Sequence, residues 1–536
     1  MPPGAQGWLK PTAIFVHRWL GVLLCLIFLL WFPSGIGMMY WDFPSVSTAD
    51  RLERSPALDP SNVVLSPAEA ADRLGEGQSR GPVRLNTFDG RPVYRFGSGR
   101  GVDAKVYADT GEEQTAVPKE MMDRAASAWT GQPVTAATVE PIEEVDQWTV
   151  QSGLRSLLPM SKYSFPNGEQ VYVSGATGEV VQYTTSASRW GAYVGAIPHW
   201  LYFTPLRKHQ AQWSQTVIWF SGLGTLAAIL GIVIGIWMYS PAKRYRYAGS
   251  PTSIPYRGQK RLHMIAGLIF GLGAATWAFS GMLSMDPFPV QRTGGPAGGG
   301  GRRDGGTDIP QALRGRGARP GSFSPKHPRE ALRQVAVGRV KELELTSFAG
   351  EPVYLAALAG GETRIIPVNG EPRAEFDRHR IVDLVTKAAQ AGAGAQLSVL
   401  EQYDRYYLDR RRERPLPVIL ARLNDADRTR YYIDPKTAQV VGSYSSRNWI
   451  NRWLYHGLHS LDFPWLYNYR PLWDIVVITF MVGGTALCVT ALILAWRVLG
   501  RKLNSALTRP TSREPALSED LVVNEPGNEA SPQTAE

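Results

Sequence analysis

Eight histidines are few for a chain of 536 residues, and their placement is uneven. His327 and His379 fall in polar surroundings. His17, His199, His209, His263, His456 and His459 all flank or enter long apolar runs. An ionisable side chain at membrane depth is costly and usually marks a function. Neutral imidazole is a common ligand of transition metals, haem iron included. His17 and His263 each have a glycine four residues on, Gly21 and Gly267, on the same helix face. A missing side chain there lets a planar macrocycle lie against the backbone. His199 and His459 occupy matched positions later in the chain and form a second candidate pair. His456 lies three residues before His459, which places the two on one helix face. His209 and His456 have no matched histidine, since Tyr469 and Ala196 stand in those places. Both stay open between ligand, proton relay and surface residue. The alternative metal is zinc or copper held by the second layer, where Asp462 is the only carboxylate nearby. No Ser–His–Asp set or carboxylate pair calls for acid, base or nucleophile chemistry.

The elements that carry these histidines are apolar. Four runs, Ala13–Tyr40, Thr216–Tyr239, Leu262–Met285 and Ile475–Trp496, approach or exceed the ~20 residues that cross a bilayer. The first is too long for a signal-peptide core and lacks a small-residue cleavage site after it, so it reads as a retained helix. Lys243, Arg244, Arg246, Arg257, Lys260 and Arg261 crowd the short link between the second and third runs, without one acid. Lys10 and Arg18 stand at the start of the first, and Arg497, Arg501 and Lys502 follow the fourth. Basic short loops stay inside, so both termini and this link are expected in the cytoplasm. The net charge of +10 is then topology and not nucleic-acid binding. The only cysteines, Cys25 and Cys488, lie within apolar runs, so the exported regions fold without disulfides.

The chain also repeats itself. His17, Gly21, Trp31 and Ser34-Gly35 match His263, Gly267, Trp277 and Ser280-Gly281 at constant spacing. His199, Leu201, Phe203, Trp213, Phe220 and Gly224-Thr225 match His459, Leu461, Phe463, Trp473, Phe480 and Gly484-Thr485. Each half reads as helix, exported domain, helix. Turn signals such as FGSGRG, ADTGEE, FPNGEQ, GATGEV, PVNGEP and IDPKTAQ divide the exported parts into strand–turn–strand units. Two units per domain fit, at about 48–116, 120–185, 326–372 and 380–444.

In its motifs the chain resembles the PepSY-domain transmembrane proteins, also called iron-regulated membrane proteins. The resemblance rests on HRWLGV (17–22), HMIAGL (263–268), YVSGATGEVV (172–181), YYIDPKTAQVV (431–441), PHWLYFTPLRKHQAQWSQ (198–215) and WLYHGLHSLDF (453–463). It covers about residues 10–500. Some members look like inner-membrane reductases of ferric siderophores that hold b-type haems between four helices. The resemblance implies His17 and His263 as inner haem ligands, and it aligns His199, His456 and His459 with the outer motifs. Other members carry a cytoplasmic flavin domain, which this sequence lacks, so the donor is expected to be separate: a reduced flavin, a flavoprotein or a quinol.

The fold expected is a four-helix transmembrane bundle from two repeated halves, with two exported α+β domains built of PepSY-like modules. Its parts are a cytoplasmic N-terminus (1–12), spans at 13–41, 213–240, 261–285 and 471–497, and a cytoplasmic loop (241–260). Exported domains at 42–190 and 326–447 are followed by interfacial segments at 191–212 and 448–470. A Gly/Arg-rich flexible linker (286–325) and a disordered cytoplasmic tail (498–536) complete it. The function expected is electron transfer through two haems b across a bacterial inner membrane, with His17, His263, His199 and His459 as axial ligands. The acceptor expected is a periplasmic Fe(III) chelate such as a ferric siderophore. The runner-up is a membrane-anchored module that binds or inhibits a peptidase or binds a ligand. A transporter is disfavoured, because the apolar runs lack midplane charges and broken centres.

Overall fold

In hydrocarbon a backbone finds hydrogen-bond partners only within itself, so apolar runs of this length become helices. The computed structural model describes residues 6–74, 81–97, 103–287, 308–335, 338–390 and 394–507. Its four membrane helices are Gln6–Tyr40, Gln210–Met238, Gly258–Leu283 and Leu472–Leu507. The shortest has 26 residues, about 39 Å at 1.5 Å per residue, against ~30 Å of hydrocarbon. The first and third helices each pack on the second and the fourth. First and third therefore stand on one diagonal of the bundle, second and fourth on the other.

Rings sunk against glycines fill the bundle interior. A Cβ on Gly224 would lie 2.1 Å from the Phe28 ring, and one on Gly484 would lie 2.6 Å from Phe32. Phe270 covers Gly483 and Phe480 covers Gly273 in the same way, at 2.4 and 2.8 Å. Small residues are what let membrane helices approach this closely.

All the large sheets attach at one end of the bundle. The segment between the first and second membrane helices supplies β1 (Val83–Phe88), β2 (Arg91–Phe96) and β3 (Ala104–Tyr107), then β4 (Thr138–Ile142), β5 (Met160–Ser164), β6 (Gln170–Ser174) and β7 (Val180–Thr184). At the opposite end lies a small hairpin, β8 (Tyr245–Tyr247) with β9 (Ser250–Thr252). The second segment supplies β10 (Val340–Phe348), β11 (Glu351–Leu358) and β12 (Thr363–Pro367), then β13 (Ala395–Leu400), β14 (Val418–Leu423), β15 (Arg430–Asp434) and β16 (Gln439–Tyr444). Strands β4–β7 and β13–β16 each form an antiparallel sheet of their own.

The separation into two exported domains does not hold. Strands β1–β3 and β10–β12 form one six-stranded sheet, ordered β12-β11-β10-β1-β2-β3. The joint is antiparallel, with Arg84 opposite Glu344 and Leu85 opposite Leu343. An exposed edge strand is a liability, and each half covers its own with the other's. The segments FDGRPVY (88–94) and FAGEPVY (348–354) form matching hairpins, whose turn residues Asp89-Gly90 and Ala349-Gly350 all have positive φ. Tyr94 and Tyr354 are both fully buried and donate to the carbonyls of Leu65 and Lys326, each at 2.7 Å.

Two other boundaries shift. The end of the expected flexible linker is folded: Ile309–Arg314 is a helix whose Ile309 and Leu313 are buried in the core formed with β11, β12 and β14. Four-residue spacing puts both on one face, a signal the surrounding Gly and Arg mask. Residues 288–307 of that linker lie outside the described residues. The fourth helix runs to Leu507, past the expected end at 497, and 508–536 lie outside the described residues. The turn expected at 96–101 also falls partly outside them.

At the β1–β10 joint, burial pushes the Glu344 carboxyl up, and the like charge of Glu342 adds to the shift. A raised folded pKa gives stability that is complete below the ordinary carboxylate range and is lost as pH rises through the raised value. Glu344→Gln should therefore raise the melting temperature at pH 7–8 by about 1–3 °C and change nothing near pH 4. Thermal melts at both pH values read the difference.

Candidate functional site

The histidine pair farther from the large sheets joins the diagonal helices. His17 and His263 face each other with ring centroids 6.2 Å apart and planes 42° apart. The Nδ1 of His17 lies 2.9 Å from the Ala227 carbonyl of the second helix. A carbonyl only accepts, so Nδ1 carries the proton and Nε2 keeps its lone pair. The Nδ1 of His263 lies 3.0 Å from the Thr490 hydroxyl of the fourth helix. That hydroxyl donates to the Leu487 carbonyl at 2.8 Å, so its oxygen accepts from Nδ1–H. Both imidazoles thus present Nε2.

The second pair sits at the other end of the bundle. His199 belongs to the short helix Ala196–Trp200 and His459 to the turn Leu458–Ser460. Their ring centroids are 5.9 Å apart and their planes 60° apart. The Nδ1 of His199 lies 3.1 Å from the Trp31 carbonyl and 3.3 Å from the Ser34 hydroxyl. The Nδ1 of His459 lies 3.0 Å from the Ser280 hydroxyl, which donates to the Trp277 carbonyl at 3.2 Å. Here too Nδ1 carries the proton. Each layer takes its imidazoles from one pair of chain segments and their restraint from the other pair. Such outer contacts fix tautomer and ring orientation and raise ligand basicity.

Backbone strain marks the second layer. Leu201 and Leu461, two residues after each histidine, adopt left-handed conformations at φ 53° and 49°. A leucine there costs about 1–2 kcal/mol. Indoles of the second and fourth helices hold both turns: Trp213 Nε1 donates to the Trp200 carbonyl at 2.7 Å, and Trp473 Nε1 to the Ser460 carbonyl at 3.0 Å. Strain maintained at matched positions points to a function.

Four of the six candidate histidines are therefore brought together as two pairs, and two are not. His209 is exposed and precedes the second helix as its N-cap. His456 is exposed, and its ring meets Tyr455 and no histidine ring among the described residues. Residues Ile450–Gly457 form a π-helix, whose wider turn rotates His456 away. The sequence reading missed the restraining groups. Ser34, Ser280, Trp213 and Trp473 stood in the matched runs without a role, while the Ala227 and Trp31 carbonyls leave no mark in a sequence.

The pairs fit a metal held between two imidazoles. Two metal–nitrogen bonds of about 2 Å plus two ring radii separate such centroids by roughly 6 Å. No cluster of three or more His, Cys, Asp or Glu able to hold a metal occurs among the described residues. Two imidazoles alone leave a tetrahedral zinc short of ligands, whereas a haem brings four nitrogens of its own. The backbone beside the first pair is open: a Cβ on Gly21 would meet nothing within 4 Å, and one on Gly267 only Leu487, at 3.8 Å. Near the second pair, the buried Nε1 of Trp31 has no hydrogen-bond partner. Between the layers runs an aromatic chain, Phe28–Phe32–Trp277–Phe480–Phe270, with centroid separations of 5.9–6.2 Å.

No curated protein matches the chain. A family model, the PepSY-associated TM region, matches residues 15–336, which takes in His17, His199, His209 and His263. More than half of the sequence lies within that match, and this multi-pass membrane protein belongs to the PepSY-associated TM family.

Proposed function

We propose that the protein is a di-haem b oxidoreductase of the bacterial inner membrane, passing electrons outward to a periplasmic Fe(III) chelate such as a ferric siderophore. The observation that carries this reading is the two layers of facing imidazoles, each with Nδ1 engaged and Nε2 presented. A haem bound at each pair supplies a one-electron Fe(III)/Fe(II) couple. His17 and His263 would hold the inner one, His199 and His459 the outer one. The Ala227 and Trp31 carbonyls and the Thr490, Ser34 and Ser280 hydroxyls keep the Nδ1 protons in place. From His17 to Ser34, and from His263 to Ser280, is 17 residues, about 25 Å of helix. The rings of Phe28, Phe32, Trp277, Phe480 and Phe270 pack within that interval. Reduction weakens oxygen-donor binding to iron, so the acceptor needs an electron and no acid or base.

The face opposite the large sheets carries Lys243, Arg244, Arg246, Arg257, Lys260 and Arg261, which supports placing it and both termini in the cytoplasm. A cytoplasmic flavin, a flavoprotein or a quinol would deliver the electron there. The matched contacts support a chain of two repeated halves, with PepSY-like modules in the sheets.

A reduced-minus-oxidised visible spectrum with a pyridine haemochrome assay tests the reading. The expected result is two b-type haems per chain. A featureless spectrum from protein made with ample haem would sink it and favour the anchored binding module.

A further inference from the structure

The two sides of the outer pair are built differently. On the first-half side the end of the first helix meets the segment before the second helix backbone to backbone. A Cβ on Gly37 would lie 2.8 Å from Gly195 Cα, and one on Gly191 2.5 Å from the Trp41 ring. On the second-half side, the positions matching Gly195-Ala196 hold Tyr455-His456 within the π-helix. The Tyr455 ring is 5.6 Å from His459 and 4.5 Å from the exposed His456. These rings connect the outer pair to the surface.

The loop above them departs in the same half. Asp146 and Asp404 do the same job in matched loops. Asp146 accepts the N–H groups of Trp148 and Thr149 and the Tyr172 hydroxyl. Asp404 accepts those of Tyr406 and Tyr407 and the Tyr432 hydroxyl. Beyond them the first half reads QSGLRS (151–156) and the second DRRRER (409–414). Arg410 and Arg411 pair with Asp42 at the end of the first helix, which seats this loop at the outer layer. Asp409 turns inward onto the N–H groups of Arg411, Glu413 and Arg414. Arg405, Arg412 and Arg414 are exposed and take part in no ion pair among the described residues. The fields of Arg414 and of the Arg452–Asp462 pair reach His456.

Resting on the di-haem reading, we infer that electrons leave on the second-half side, past Tyr455 and His456, to an anionic Fe(III) chelate drawn in by Arg412 and Arg414. One electron passes from the outer Fe(II) to the chelated Fe(III), leaving outer Fe(III) and chelated Fe(II), with no bond made or proton moved.

The test is stopped-flow reoxidation of the dithionite-reduced haem protein in nanodiscs, followed at the haem band. The oxidants are Fe(III)–EDTA, an anion, and hexaammineruthenium(III), a cation. In Arg412→Gln/Arg414→Gln and in His456→Ala the bimolecular rate with Fe(III)–EDTA should fall at least tenfold. The rate with hexaammineruthenium(III) should fall less than twofold in the arginine variant, with haem content unchanged in both. Arg155→Gln, in the matched first-half loop, should leave both rates intact. Equal losses with both oxidants in the arginine variant, no loss with Fe(III)–EDTA, or the same loss in Arg155→Gln overturns the assignment. Wild-type protein without haem would overturn the di-haem reading itself.

Discussion

His17→Ala and His263→Ala should each remove one of two haems, and the double variant should remove no more than either single. The two imidazoles face each other at 6.2 Å and serve one site. His199→Ala and His459→Ala should behave likewise at the other site. Combining across layers, as in His17→Ala/His459→Ala, should leave no haem at all. Haem-to-protein ratios by pyridine haemochrome read every case. His456→Ala should keep both haems. If it loses one while His199→Ala or His459→Ala loses none, the outer pairing is wrong.

Arg95→Met should cost about 3 kcal/mol of stability in the large sheets, the scale expected when one partner of a buried ion pair is removed. The Arg95 side chain is 6% exposed; it pairs with Glu179 at 2.6 Å and donates to Asn86 at 2.8 Å. Burial pushes the Glu179 carboxyl up, but Arg95 and then Lys105 outweigh it and hold the group below the usual carboxylate range. A lowered folded pKa gives stability that is present above the unfolded value and lost as pH falls through the folded one. The deficit of Arg95→Met should therefore be full at pH 7 and shrink in acid. Arg95→Met/Glu179→Met should recover more than half of it, since no unpaired carboxylate remains. Urea titrations of the four proteins of this cycle at two pH values give both quantities.

The membrane helices were legible because hydrocarbon imposes length and apolarity on any sequence that crosses it. The paired histidines were legible because His17 and His263, and His199 and His459, recur with the same neighbours. The six-stranded sheet was not. Its β1–β10 joint is made by backbone groups more than 250 residues apart, although FDGRPVY and FAGEPVY stood in the sequence as a hint. The restraint on His17 was invisible for the same reason, since the Ala227 carbonyl belongs to the main chain. His456 misled because three-residue spacing was read on an α-helix, and the backbone there is a π-helix.

Arg84 pairs across the sheet with Glu344, which is also its match in the other half, as His17 pairs with His263 and His199 with His459. A surface that meets its own counterpart is how a two-fold homodimer assembles. On the duplicated reading, a chain of half this length has the contacts to build the same bundle by joining a second copy of itself. In such a dimer both sides of the outer layer would be identical, and any change at one would appear at the other. Fusing the copies releases each from the other's constraints. Arginines and His456 on one side, and glycine-sealed backbone on the other, are variation that only a fused chain can hold.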